Sequence, residues 1–154
     1  MRLPADEARE RFSGERVARF ASVSATNVPH LVPITFAVIG DRIVFVVDDK
    51  PKSTQYLRRL ENIAAHPQVC VLADVYDDDW SKLWWARADG VASIAERNDE
   101  AVDALAVRYP HYVDRRPTGP VVSIDVTRWS GWAAADSPVS DNEAGNAGAA
   151  ARNP

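Results

Sequence analysis

The chain has 154 residues, of which 46% are hydrophobic, and carries a formal net charge of -4. This length and composition are typical of one domain with enough apolar material for a core. The acidic balance argues against a protein that binds nucleic acid mainly by neutralising phosphates, since that requires an excess of Lys and Arg. Cys70 is the single cysteine, so no intrachain disulfide can form, and a reducing compartment is favoured.

Membrane insertion and secretion find no support in the pattern of hydrophobic residues. No apolar run approaches the roughly 20 residues that are needed to cross a bilayer. Residues 1–12 alternate acids with arginines and contain no hydrophobic signal region. We therefore expect a cytoplasmic protein without a membrane partner.

The first third of the chain predicts a short helix and three strands. Pro4, Asp6 and Glu7 begin a helix that ends at Gly14. Residues 16–24 and 29–39 predict two strands, and a tight turn at Gly40–Asp41 leads into a third at Arg42–Val47. Strand alternation places His30, Val32, Ile34, Phe36 and Val38 on one face of the second strand and Leu31, Pro33, Thr35, Ala37 and Ile39 on the other.

Both faces of these strands are largely apolar, so both should be covered. In so short a chain this indicates a closed barrel whose outside meets a second subunit. We therefore expect a homodimer.

The rest of the chain predicts two helices, three strands and a tail. The expected elements are an amphipathic helix over 53–65, a strand at Gln68–Val75, an acidic loop, a long strand at Lys82–Ala95 with a bend or bulge at Gly90, a helix from Asn98 or Asp99 to about Tyr109, and a last strand at Val121–Val126. Residues 136–154 contain Ser, Asn, Gly, Ala and Pro without large apolar side chains. We expect one domain over 1–135 and a flexible tail over 136–154.

Lys50, Lys52, Ser53 and Thr54 stand where a strand ends and a helix begins. Ammonium groups, hydroxyls and unpaired backbone N–H groups could converge there on one phosphate. The same residues are also compatible with two solvated lysines and a serine that caps the helix. The local sequence leaves both interpretations open.

Tryptophan is unusually dense at Trp80, Trp84 and Trp85, close to Arg87. Trp85 and Arg87 share one strand face, where an indole could stack on a planar ring and a guanidinium could pair with an anion. Core or interface packing is the alternative for at least two of these tryptophans. Trp129 and Trp132 could close the same pocket or fasten the last strand.

Several common active sites are not supported by the sequence. The aspartates at 74 and 77–79 lack the glycine and the terminal glutamate of a calcium loop, and His30, His66 and His111 lack zinc-ligand spacing. G-x-S-x-G, G-x-G-x-x-G and Walker motifs do not occur. We expect no metal site, and the sequence argues against a hydrolase, a kinase or a Rossmann-type dehydrogenase.

The order of five segments resembles the split β-barrel flavin and deazaflavin oxidoreductases. The segments are PHLVPITF, K-x-K-S-T, LRRLENIAAHPQVCVLADVYDDDW, LWWARADGVASI and RWSGW, within about residues 5–135. The chain is most similar to the branch labelled PPOX-class F420-dependent oxidoreductases, relatives of the pyridoxamine-phosphate oxidases. The resemblance implies a mainly β protein with flanking helices, built as a dimer of six-stranded antiparallel split barrels with cofactor sites at the subunit interface.

The resemblance also implies which residues meet the cofactor. Its phosphate would contact Lys50, Lys52, Ser53 and Thr54, and its ring would lie along Val32, Pro33, Ile34 and Thr35, near Val47. Trp80, Trp85, Arg87 and Trp132 are the candidates for a second wall. Lys50 stands where relatives often have arginine, so its grip on the phosphate would be weaker or less directional. The acidic surface and the tryptophan-rich strand are compatible with both F420 and FMN, and the label of the branch favours F420.

The implied activity is hydride transfer between F420 and a small conjugated organic substrate. Arg87 could steady negative charge that develops on the substrate, and few protein acids or bases are needed. Relatives with this barrel also bind flavin, haem or bilins, so a non-catalytic carrier is the second hypothesis.

The phosphate site generates a first prediction. Lys52→Ala should weaken cofactor binding strongly, because an ammonium group is removed from the phosphate, and should leave the fold intact. Cofactor titration and the melting temperature measure the two effects. Unchanged affinity together with an unchanged melting temperature would argue against the site.

Overall fold

A computed structural model of the chain describes residues 1–47 and 54–134, with the backbone alone for residues 54–57. The helices are α1 (Ala5–Gly14), α2 (Thr54–Ala65), α3 (Asp99–Arg108) and α4 (His111–Asp114), with a 3₁₀ turn at Trp80–Lys82. The strands are β1 (Ala18–Val23), β2 (Pro29–Ile34), β3 (Ala37–Ile39), β4 (Arg42–Val46), β5 (Gln68–Val75), β6 (Trp84–Ala95) and β7 (Val121–Ala133). Lys50, Lys52, Ser53 and the tail over 136–154 lie outside the described residues. No helix in the described part of the chain has the length and hydropathy of a membrane span.

One antiparallel sheet of seven strands has the order β2-β1-β5-β6-β7-β4-β3. β2 and β3 lie at opposite ends of this order, although Thr35 and Phe36 alone separate them in sequence. A flat sheet would place the outermost strands about 29 Å apart at a spacing of ~4.8 Å, whereas three Cα steps span at most about 11 Å. The sheet must therefore curl until its two edges meet. The predicted mainly β split barrel with flanking helices is confirmed.

The predicted strand over 29–39 is divided in two, which raises the number of strands from six to seven. At Thr35–Phe36 the backbone leaves the sheet, and its polar groups find partners outside it. The Phe36 N–H donates to the Tyr109 hydroxyl at 3.2 Å, and Arg108 donates to the Phe36 carbonyl at 2.6 Å. The predicted alternation nevertheless continues across the break, since Ile34 and Phe36 join the interior cluster while Ala37 joins a second cluster outside.

The barrel interior is filled by side chains. Phe20 and Phe45 meet at 5.0 Å between ring centroids, and Trp84 is buried beside the same core. α1 also packs against this core, because its Phe12 contacts Phe36 at 4.8 Å and Trp129 at 5.2 Å between ring centroids. Side chains commonly fill the interior of small barrels, so we do not expect a ligand to bind inside.

α3 covers the outer side of β3 and β4. Val102 and Leu105 of the helix pack with Ala37 and Val44 in the outer cluster. The burial of both faces of β4 is therefore explained within one chain. It is not evidence for a second subunit, contrary to the reasoning from sequence. The outer face of β2 is not covered in the same way, since Leu31 is 67% exposed there.

Local signals account for several element boundaries. The Asn98 Oδ1 accepts a hydrogen bond from the Ala101 N–H at 3.1 Å, so the predicted cap of α3 is confirmed. The strand predicted at 121–126 continues through Trp129 and Trp132 as part of β7. The helix α4 was not predicted, because four residues after Pro110 are too few to show a helical period.

The register of β6 against β7 shifts between Asp89 and Gly90, which confirms the predicted bulge. A Cβ at Gly90 would lie 2.5 Å from the Asp125 carbonyl oxygen and 2.8 Å from Ile124 Cγ2. Only a residue without a side chain allows β7 to approach this closely.

This close approach generates a stability prediction. Gly90→Ala should reduce the free energy of unfolding by about 1–3 kcal/mol, because the added methyl group forces β7 away. Gly14→Ala is the matched control, since a Cβ there meets nothing within 4 Å; we expect it to be neutral or to stabilise by at most ~1 kcal/mol. Chemical denaturation measures both changes, and equal effects of the two substitutions would contradict the interpretation.

Candidate functional site

An open cavity of about 650 Å³ lies on the outer face of β2, β1, β5 and β6, and we call it the outer cleft. Its apolar lining is Ala21, Leu31, Cys70, Leu72 and Trp85, and its polar lining is Arg19, Asp74, Tyr76 and Arg87. Cross-strand register explains the grouping, because Ala21 lies opposite both Leu31 and Cys70 while Leu72 lies opposite Arg87. The cleft is therefore a direct product of strand pairing.

The apolar part of the outer cleft is accessible. Leu31 is 67% exposed on β2, and Leu72 on β5 and Trp85 on β6 are half-buried. Exposed apolar surface of this kind commonly marks a binding site. An indole next to aliphatic side chains provides a surface on which a flat ring can stack.

Two arginines lie at the outer cleft, and each is paired with an aspartate. Arg87 donates to Asp89 Oδ1 from Nε at 2.9 Å and from Nη2 at 2.6 Å, and Arg19 lies 3.5 Å from Asp74. The hydrogen bond to Asp89 raises the pKa of Arg87, so the guanidinium stays protonated. The pairs hold the arginines in place without giving the cleft a large net charge.

Three of the predicted second-wall residues come together. Trp85 lies opposite Trp132 in the pairing of β6 with β7, and Arg87 lies on the same outer face two residues further along β6. Trp132 is 39% exposed at the edge of the cleft face. The remaining tryptophans have other roles: Trp84 is buried in the core, and Trp129 packs on Phe12.

Trp80 is 74% exposed in the 3₁₀ turn and is not among the residues that line the outer cleft. The Asp79 carboxylate caps this turn by accepting from both the side chain and the backbone N–H of Ser81. These hydrogen bonds, the side-chain one first, lower the pKa of Asp79. The acidic loop therefore organises its own backbone, as expected of a solvated turn.

The residues predicted along the cofactor ring divide between the two sides of the sheet. Val32, Ile34 and Val47 pack in or against the interior core, so their side chains face away from the cleft. Pro33 is exposed on the outer face, and Thr35 hydrogen-bonds to Tyr112 at 2.9 Å. A ring on the outer face of β2 could meet the side chains of Pro33 and Thr35, but only the backbone of the inward residues.

The predicted phosphate site is at the start of α2. Thr54 is the first residue of that helix, and its side chain is not described. Lys50, Lys52 and Ser53 lie outside the described residues, so their role stays a prediction. α2 reaches the barrel through Ile63, which joins the interior core.

Of the residues that line the outer cleft, sequence reasoning predicted only Trp85 and Arg87 as site residues and missed Arg19, Ala21, Leu31, Cys70, Leu72, Asp74 and Tyr76. The alternation of the first two strands places Arg19 and Leu31 on the outward phase, and this signal was available. The sequence did not show which strands lie next to each other, because the pairing of β1 with β5 depends on how the sheet closes.

A second cavity, of about 450 Å³, lies between the β1–β2 turn and α2 and is lined partly by Ser24, His30, Arg58 and Asn62. It has no tryptophan, tyrosine or phenylalanine in its described lining and offers less for a flat ring to stack on. Within residues 1–47 and 54–134, His, Cys, Asp and Glu side chains form no group of three that could hold a metal ion. The outer cleft is therefore the better candidate for a flat aromatic cofactor with a polar or anionic edge, since its apolar surface, its indole and its two arginines fit such a group.

Three solved structures share the fold. A FAD-binding protein from Mesorhizobium loti is 19% identical, with a TM-score of 0.67 over 85% of this chain and 95% of that one. The FAD-binding protein from Mycobacterium smegmatis is 20% identical, with a TM-score of 0.60 over 86% and 96%. HutZ, the haem storage protein from Vibrio cholerae, is 16% identical, with a TM-score of 0.61 over 82% and 91%. At these identities the likeness concerns the fold alone.

The sequence itself decides the family. No curated protein matches the chain, but residues 4–133 match the family described as pyridoxamine 5'-phosphate oxidase. This match spans every strand and helix of the barrel. The chain therefore belongs to the pyridoxamine 5'-phosphate oxidase family.

Proposed function

We propose that the protein is an oxidoreductase that binds the deazaflavin coenzyme F420 in the outer cleft and transfers a hydride between it and a small conjugated organic substrate. FMN is the alternative cofactor. The observation that carries the proposal is an open cleft whose apolar lining includes Leu31, Leu72 and Trp85 and whose two arginines, Arg19 and Arg87, are each paired with an aspartate. Membership of the family and the FAD-binding structures with the same fold support a flavin-type ring.

The outer cleft suits the two parts of such a ring. Its flat faces are apolar and can stack on the Trp85 indole, while its polar edge can accept hydrogen bonds from the arginines. Lys50, Lys52, Ser53 and Thr54 would hold the phosphate, with help from the free N–H groups at the start of α2. The cleft and the helix start would then share one elongated ligand.

The cofactor supplies the hydride when it is bound, and the chain orients the reactants. The Asp89 carboxylate fixes the Arg87 guanidinium, so it can hold a carbonyl or carboxylate of the substrate in place. The Trp85 indole would keep water from one face of the ring. Asp74 is the one carboxylate among the described residues that line the cleft, and it is paired with Arg19, so solvent is the proposed source of protons.

A homodimer would complete the cleft. Leu31 and Trp132 are 67% and 39% exposed on the outer face, and Pro33 is exposed beside Leu31. A second copy that packs on this face would bury them and supply a second wall for the ring. The proposed dimer thus explains why the face is apolar beyond the cleft itself.

A carrier that binds haem, bilin or flavin without turnover is the second candidate. Cys70 and Tyr76 line the outer cleft, and thiolate and phenolate groups can hold haem iron. The shared fold of the haem storage protein HutZ is compatible with this function. The described lining contains no histidine, which is the commonest haem ligand.

Cofactor titration tests the proposed function. F420 and FMN should quench tryptophan fluorescence with saturation, and bound reduced F420 should be oxidised by a quinone or a nitroaromatic compound. Arg87→Ala should weaken binding about tenfold, or ~1.4 kcal/mol, since the cleft then loses a guanidinium that can donate to the ligand. Arg97→Ala is the control, because Arg97 is exposed and pairs with Asp99 at the start of α3.

Haem is titrated in parallel. Tight haem binding with a ligand-field spectrum, combined with no oxidation of reduced F420, would contradict the proposed oxidoreductase and support the non-catalytic carrier. Equal effects of the Arg87 and Arg97 substitutions on cofactor affinity would show that the cofactor does not bind in the outer cleft.

The dimer generates a separate prediction. Leu31→Glu should raise the dissociation constant of the dimer at least tenfold, because a buried carboxylate without a partner is costly. Val107→Glu is the control, since Val107 is 87% exposed on α3, away from the outer cleft. Analytical ultracentrifugation measures both. A dimer that tolerates the Leu31→Glu substitution, or a wild-type protein that is monomeric at micromolar concentration, would contradict this interface.

A further inference from the structure

The junction between β2 and β3 is held from outside the barrel. Thr35 and Phe36 belong to no strand, so the sheet does not satisfy their polar groups. The Phe36 N–H and carbonyl and the Thr35 hydroxyl find partners instead at the end of α3 and in α4, in Tyr109, Arg108 and Tyr112 respectively. The side chains of Arg108, Tyr109 and Tyr112 thus connect the two-residue link to the junction of α3 and α4, which we call the helical corner.

Arg108 and Tyr109 act on the backbone of this junction. Arg108 donates to the carbonyls of Phe36 and Glu15, and its guanidinium lies 4.8 Å from the centroid of the Phe36 ring. The Tyr109 hydroxyl accepts from the Phe36 N–H and can donate to the Arg16 carbonyl at 2.8 Å. Burial lowers the pKa of Arg108, but its carbonyl partners still require the protonated form. These two residues have a structural role.

Tyr112 acts on a side chain instead. Its hydroxyl lies 2.9 Å from Thr35 Oγ1, and its ring is packed against Tyr109 at 5.8 Å and His111 at 5.6 Å between ring centroids. Thr35 directly follows Ile34, the last residue of β2, and is not among the residues that line the outer cleft. A ligand that extends from the outer cleft along β2 would reach it.

We propose that Tyr112 is a positioning residue that sets the direction of the Thr35 hydroxyl proton. A hydroxyl group has one proton and two lone pairs, and a phenol is the more acidic donor of the two. The 2.9 Å separation allows either hydroxyl to donate. In the proposed arrangement Tyr112 donates and Thr35 accepts, which leaves the Thr35 proton to hydrogen-bond an acceptor on the cofactor ring. This inference rests on the proposed function, because the ring is what Thr35 would contact.

Three variants and their combination separate this role from a structural one. Tyr112→Phe and Thr35→Val should each raise the dissociation constant for the cofactor about five- to tenfold and shift the absorption band of the bound ring. The double variant should be no worse than either single variant, since both remove the same hydrogen bond to the ring. Thr35→Ser keeps the hydroxyl group and should bind within twofold of wild type.

Tyr109→Phe is the structural control. It removes a hydroxyl group from the same corner and should lower the melting temperature, while the folded protein keeps its affinity within twofold. Titrations with F420 and with FMN, spectra of the bound cofactor and thermal melts give all the readouts.

Two failures can be told apart. If wild type binds a cofactor but Tyr112→Phe leaves affinity and spectrum unchanged, or if the Tyr112 and Thr35 effects add, the positioning role is wrong while the proposed function stands. If wild type binds neither F420 nor FMN, the proposed function is wrong and the positioning role is lost with it.

Discussion

Closure of the sheet by a two-residue link is the constraint on which the rest of this structure depends. Ile34 and Ala37 are three Cα steps apart and belong to strands at opposite ends of the sheet order. The sheet can satisfy this only by curling, and the link itself must then leave the hydrogen-bond ladder. Its polar groups are satisfied by α3 and α4, which is why a helical corner is packed on this side of the barrel.

Closure also determines where a ligand can bind. A seven-stranded barrel has a narrow interior, and Phe20, Phe45 and Trp84 fill it together with smaller aliphatic side chains. A flat cofactor inside would have to displace this core at a cost of several kcal/mol. The outer face remains, and strand alternation supplies it with every second side chain. The outward side chains therefore form the candidate site, while the inward side chains form the core.

Sequence patterns predicted the local features well and the spatial ones poorly. β5 has the predicted bounds, Gly90 lies at the bulge, and Asn98 caps α3. These features depend on residues close in sequence. The break at Thr35–Phe36 was missed because the apolar alternation continues through it, and its cause is a helix more than 70 residues away. Trp85 and Arg87 were predicted on a shared face because this follows from alternation along one strand. That Arg19 and Leu72 lie on neighbouring strands was not predicted, because strand order depends on how the sheet closes.

The uneven cover of the outer face connects the fold with the proposed function. α3 covers β3 and β4, but on the β2–β1–β5–β6 half Leu31 is exposed and Leu72 and Trp85 are half-buried. Contiguous apolar patches on a protein surface often mark binding sites. A cofactor ring would occupy the outer cleft, yet Pro33 and Trp132 lie outside its lining. The apolar surface is thus larger than one ring needs, which is why we infer two occupants, a cofactor and a second copy of the chain, on one continuous face.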